Sequence, residues 1–233
     1  MPFNGFSHET IGFMLDLRFN NNKAFMQAHR DEYIAKVRDP YYALIEALAP
    51  AMRQIDPQME VRPLKVLSRI FRDTRFSRDK APYRDHHWLA FRRAGLPREA
   101  APMFWAEIRV ERVTWGLGFW GDNREALAIL RDQMMKQPKG ILQALRSAEM
   151  AGFTMENNPF KRMAVPDQVP ETLRALYTQK EWLFVKRPAD TGLVFTPAFA
   201  DTLFQDFTAL APLYRLMAQS YDLARIGGFH HGL

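Results

Sequence analysis

Two runs rich in β-branched and aromatic residues, Met103 to Val110 and Val113 to Trp120, are separated only by Glu111-Arg112. Such runs suit the pleated surface of a sheet, and so short a connection returns the second strand antiparallel to the first. The chain must therefore be built around a hairpin. Helical signals flank it. Ser7 is placed to cap a short helix with Ile11, Met14 and Leu15 on one face. Asn20-Asn21-Asn22 ends that helix and can cap a second, Lys23 to Val37, in which Phe25, His29, Tyr33 and Val37 recur at every fourth position. Pro40 opens a third, marked by Tyr41, Leu44, Ile45 and Leu48 and stopping near Pro50. Leu64 to Phe76 reads as strand until Ala81-Pro82 interrupts, and His87, Leu89 and Phe91 alternate as another.

Beyond the hairpin, Asp122 or Asn123 can cap a helix to about Met135, and Pro138 opens one with Ile141, Leu142 and Leu145 as its stripe. Gly152 to Pro170 is irregular with a short strand, and Glu171 to Thr178 is helical. Trp182 to Lys186 and Gly192 to Phe195 read as short strands. Pro197 begins a last helix reaching about Ser220, with Phe199, Leu203, Phe207 and Leu210 facing inward. The expected fold is α+β, one antiparallel sheet flanked by helices, in a single domain over residues 1–233. No repeat or linker divides it.

Composition excludes several function classes. No apolar run approaches the roughly 18–20 residues that span a bilayer, and Met1-Pro-Phe-Asn-Gly-Phe lacks the basic and apolar stretches of a signal peptide. The chain has no cysteine, so disulfides, thiol catalysis and thiolate zinc sites are out, and a reducing cytoplasmic home is expected. The net charge of +6 is concentrated: between Arg62 and Arg98 lie eleven basic and three acidic residues, and nine of the eleven are Arg. One segment thus supplies the whole basic surplus, in the residue whose planar fork matches carboxylate and phosphate.

Within that segment, Arg69, Phe71, Asp73 and Arg75 would share one face of an extended chain, with Ser68, Ile70 and Arg72 on the other. The turn beyond adds Ser77, Arg78, Lys80 and Tyr83. Several forks, hydroxyls and backbone amides within short reach suit an oxyanion, so the candidate ligand site is Arg69, Arg72, Asp73, Arg75, Ser77, Arg78, Lys80 and Tyr83. The expected partner is an anionic, phosphorylated small molecule. In an enzyme, Asp73 would be the first general base, weakened by its cationic neighbours. Two other readings stand beside this one. A nucleic-acid-binding module would account for the sequence pI of 9.6 and the nearby aromatics. Alternatively Arg72, Asp73, Arg75 and Asp79 form a buried ion-pair network over Pro82 and Tyr83, in a protein that meets acidic partners.

The run Arg72-Asp-Thr-Arg-Phe-Ser-Arg-Asp-Lys-Ala-Pro-Tyr83 resembles the hallmark of domain of unknown function 2461, a family of bacteria and fungi. The resemblance extends to Asn21-Asn22-Lys-Ala-Phe25 with Arg30 and Tyr33, to Gly116-Leu-Gly-Phe-Trp120 before a helix with Arg131, and to Asn158-Pro-Phe-Lys-Arg162. Phe25-Met26 stands where Trp-Phe is common. The resemblance implies a shared fold and carries no activity with it.

Other candidates are weaker. His86 and His87 point to opposite faces of a strand, poor geometry for one metal, and His230-His231 lies in a Gly-rich tail. No metal site and no cofactor are expected: H-E-x-x-H is absent, and Gly116-x-Gly118 lacks the further glycine of a dinucleotide loop, marking instead a bulge or close packing. Trp105, Trp115 and Trp120 read as core or hairpin-face residues, and Asn21 and Asn22 as caps.

Overall fold

A computed structural model describes residues 2–97, 101–119, 121 and 123–228. Ser7 caps α1 (His8–Phe19) through a capping box in which Thr10 answers its side chain. Asn22 caps α2 (Lys23–Ala28), accepting the Phe25 N–H at 2.9 Å. The expected second helix is not continuous, because α3 (Arg30–Tyr33) and a π-helical stretch, Ile34–Arg38, follow. An α-helix repeats every 3.6 residues, so a stripe spaced by four drifts off its face. The wider π turn returns Val37 to the core, where it is buried.

Helix α4 (Asp39–Ile55) runs through Pro50 instead of stopping there. An interior proline costs about 3 kcal/mol, but Met52 and Ile55 beyond it are buried on the same stripe as Leu44, Ile45 and Leu48. Each buried side chain of that size contributes about 1.5–3 kcal/mol, so packing outweighs the lost bond.

A helical turn, α5 (Pro63–Val66), precedes strand β1 (His87–Phe91). The predicted hairpin is β2 (Met103–Ile108) and β3 (Val113–Gly118), turned where Arg109 N–H donates to Arg112 O at 2.9 Å. Then come α6 (Arg124–Lys136), α7 (Pro138–Met150), the short β4 (Thr154–Met155), α8 (Glu171–Tyr177), β5 (Leu183–Lys186) and α9 (Ala198–Gly228). The five strands form one antiparallel sheet in the order β1-β2-β3-β5-β4, and the fold class is α+β. Gly192–Phe195 is a 3-10 turn rather than a strand, since the Asp190 carboxylate takes the Gly192 N–H at 2.7 Å and winds the backbone locally. Helix α9 continues past Ser220 to Gly228. The readings at Arg98, Trp120, Asp122 and His230-His231 lie outside the described residues.

The chain forms two compact units, each of three segments. The first comprises Met1–Phe91, Trp105–Trp115 and Arg187–Gln205. Its core joins Phe6, Tyr41, Leu44 and Trp115, with Phe6 and Tyr41 rings 4.7 Å apart and Trp115 edge-on to Phe199 at 5.9 Å. The second comprises Arg92–Phe104, Gly116–Lys186 and Asp206–Leu233, and centres on Phe104 against Phe207 and Tyr214, at 5.2 and 4.9 Å. Here Gly116 marks close packing: a Cβ would stand 1.9 Å from Phe184 O, so β3 and β5 approach only because no side chain intervenes.

Candidate functional site

The basic segment is an irregular arm of the first unit. Residues 67–72 run antiparallel to 82–89: Ser68 N–H donates to Trp88 O (2.8 Å), Arg72 N–H to Pro82 O (2.9 Å) and Arg84 N–H to Ile70 O (2.7 Å). Only Leu67–Leu89 and Phe71–Tyr83 pair as bridges, so the strand expected from Leu64 to Phe76 does not form as a regular one. Pro63 starts a helical turn, and Pro82 has no N–H to give a ladder. Asp73 and Asp79 bend the tip by accepting the N–H two residues on, from Arg75 at 3.2 Å and Ala81 at 2.9 Å. Asn21 holds the arm from outside. Its side chain accepts the Tyr83 N–H and donates to Tyr83 O, both at 2.9 Å, as an adjoining strand would. It is therefore a clamp, and only Asn22 caps.

The alternation read from the sequence persists. Ser68 is buried and Ile70 and Arg72 half-buried, while Arg69, Phe71 and Asp73 face solvent. On the inner side a pocket of about 300 Å³ is walled by Arg18 of α1 and by Arg72, Asp79, Ala81, Tyr83, Arg84, Asp85 and His86 of the arm, with Asn21 between. Arg18 donates to Asp85 at 2.5 Å and to Glu111. Bonds to Glu111, then Asp85, hold its guanidinium more basic than usual. Arg72 pairs with Asp79. Burial opposes ionisation of Asp85, but hydrogen bonds from His86 and Arg18 outweigh it and lower its pKa.

Arg84 differs from both. Its guanidinium lies 4.6 Å over the Trp88 ring and, among the described residues, has no carboxylate partner and no acceptor for its N–H groups. Burial, and then the charge of Arg72, make it less basic than an ordinary arginine. His86 Nδ1 is 2.8 Å from Asp85 Oδ1, and its Nε2 is 3.5 Å from Glu107 Oε1. Glu107 is itself gripped by the Arg109 fork at 2.8 and 2.7 Å.

Of the residues expected at the site, the pocket takes Arg72 and Tyr83. Arg75 forks onto Asp73 in the open; bonds from the Arg75 side chain and backbone bring Asp73 down to about 2, so it is a poor base, and it stands outside the pocket. Lys80 Nζ donates to Thr74 O at 2.9 Å and Ser77 N–H to the same carbonyl at 3.3 Å, closing the tip. Arg69 and Arg78 are exposed. Arg72, Asp73, Arg75 and Asp79 thus form two separate pairs, and Asp73 and Asp79 keep side-chain exposures of 56% and 63%. Sequence reasoning missed Arg18, Asn21, Arg84 and His86. Arg84 was visible in the basic window, but its inward direction follows from the pairing with Ile70. Among the described residues no three His, Asp or Glu side chains are grouped as a metal-ligand set.

Over residues 9–216 the chain matches the family described as conserved hypothetical protein, DUF2461. The chain belongs to this family. No curated protein and no solved structure matches it. Two further stretches of the DUF2461 resemblance meet in the second unit, where Arg131 donates to Tyr177 O (2.8 Å) and Gln179 O (2.7 Å) and lies 5.7 Å from the Phe160 ring. Asn158 and Phe160 hydrogen-bond to the same 178–180 stretch. Among the described residues, Arg131 thus braces the chain's own backbone and the rings of Phe160 and Tyr177, a structural role.

Proposed function

We propose that the chain binds an anionic ligand, a phosphate or phosphoryl group, in the pocket walled by Arg18, Arg72 and Arg84. The observation that carries this reading is Arg84. A half-buried guanidinium without a protein acceptor among the described residues keeps its donors free for a charge-assisted bond to a ligand. Stacking on Trp88 occupies its face and leaves the N–H edge for a partner. Arg72 repels it, and one anion between the two would satisfy Arg84 and relieve that repulsion. A volume of about 300 Å³ suits a phosphate with a modest organic group attached. The lack of cysteine fits a reducing cytosol as the place of work.

Thermal melts with inorganic phosphate test the reading. A ligand that binds only the folded state stabilises it by mass action, about 2.7 kcal/mol at a hundredfold excess over Kd. Arg84→Gln should abolish the phosphate response and leave the unliganded protein as stable or slightly more so. Arg69→Gln, on the outer face, should keep the response. A wild type indifferent to phosphate and sulfate sinks the proposal.

A further inference from the structure

The outward face of the arm has a character the pocket does not use. Phe71 is 62% exposed and Phe76, at the tip, 95%. Arg75 lies 5.7 Å over the Phe76 ring, and Phe71 leans on Tyr83 at 5.3 Å. Residues 69–80 hold five basic and two acidic side chains. Both acids are already held, Asp73 by Arg75 and Asp79 by Arg72, while Arg69 and Arg78 are exposed and without a partner among the described residues. Rings left in water among arginines contribute nothing to a core. They offer a π face to a flat group, beside forks that take phosphates.

We infer that this arm is a docking surface for single-stranded nucleic acid, with bases on Phe71 and Phe76 and backbone phosphates on Arg69 and Arg78. The inference rests on the pocket reading for one contact: Arg72, Tyr83 and Arg84 belong both to the arm and to the pocket wall, so a phosphate there lies at the root of the same surface. Charge complementarity selects a polyanion, and the rings select a single strand. In a duplex the base faces are stacked on one another, and Phe76 would meet only sugar and phosphate. An anionic membrane would reward a cluster of apolar tips, whereas here one ring stands at the tip and the other leans on Tyr83. Neither base face nor phosphate depends on the sugar, so DNA and RNA of one sequence should bind alike.

Fluorescence anisotropy with a labelled oligothymidylate of about 12 nucleotides, the matching oligouridylate and a blunt duplex tests this. The single strands should bind more tightly than the duplex. Binding should weaken steeply between about 50 and about 200 mM salt as condensed counterions are released. Phe76→Ala should weaken the single strands about tenfold while leaving the phosphate melting shift of the wild type intact. Arg78→Gln should lower the salt slope by about one. Equal affinity for duplex and single strand, with no effect of Phe76→Ala, overturns the inference. So does the absence of binding at low salt, and so does Phe76-dependent partition onto phosphatidylserine vesicles in its place. If oligonucleotides bind through Phe76 but phosphate never shifts the melt, the arm stands and the pocket reading falls. The reverse result removes the arm alone.

Discussion

His87 is fully buried, and both its ring nitrogens are engaged. Nδ1 lies 3.1 Å from Ser68 O and 3.0 Å from Ser68 Oγ, and Nε2 lies 3.1 Å from the Tyr33 hydroxyl. The carbonyl can only accept, so the proton belongs on Nδ1, and Nε2 accepts from Tyr33. Burial takes the imidazole down to about 3, against the hydrogen bond to Ser68, with His86 and Arg84 adding to the effect. In the unfolded chain a histidine protonates near pH 6.5. Between those values the unfolded state holds more protons, so stability that is complete above about pH 6.5 falls as the pH drops toward 3, by about 2 kcal/mol at about pH 5. Melts from neutral to acid pH should show that slope, and His87→Phe should flatten it between about pH 6.5 and 5. An unchanged slope would mean that another group is responsible. At Arg72 the expectation is the opposite of a buried network: Asp79 stays in water after Arg72→Gln, so the loss should be within about 1 kcal/mol. A loss of several kcal/mol would restore a scaffold role.

The arm depends on Asn21, a residue 62 positions upstream of Tyr83. Asn21→Ala removes two hydrogen bonds and leaves Tyr83 N–H and C=O unpaired, for an expected loss of about 1–3 kcal/mol. Asn21→Asp keeps the acceptor and loses the donor, and should fall between. Thermal melts rank the three, and equal melting points would deny the clamp. The contrast with Asn22 explains how far elements were legible. Asn22 and Ser7 act on N–H groups three residues away, so their caps could be read locally, as could the hairpin from its two-residue gap. The arm could not, because its pairing is set by proline, by two aspartate turns and by a distant amide. The same holds for the pocket. Alternation correctly separated Arg72 from Arg69 and Asp73, but Arg18 and His86 join it only through the fold. Gly116 lies between these cases: close packing was readable, its partner Phe184 was not. Gly116→Ala should therefore cost about 3 kcal/mol or more, since the obstacle is a backbone carbonyl that no rotamer change can move.

Across the whole chain, the two units are interleaved along the sequence rather than strung one after the other. The chain passes from one to the other inside β2, between Phe104 and Trp105, inside β3, between Trp115 and Gly116, and inside α9, between Gln205 and Asp206. Hydrogen-bonded strands and a continuous helix make poor linkers, and neither unit can be excised as one stretch of chain. Unfolding one unit would tear the ladders of β2 and β3, so a single cooperative transition is expected despite the two-fold division. Tryptophan provides a separate reporter for each: Trp115 is buried in the first unit and Trp182 in the second. Urea titrations of two single-tryptophan variants, one keeping Trp115 and the other Trp182 with the remaining four tryptophans replaced by Phe, should give coincident midpoints, matching far-UV circular dichroism. Limited proteolysis should trim the ends or cut within 152–170 without releasing two stable fragments. Separated midpoints, or two folded fragments, would show that the units are independent domains. The pocket and arm, which lie wholly within the first unit, would then have to be tested for phosphate and oligonucleotide binding against that unit's own transition.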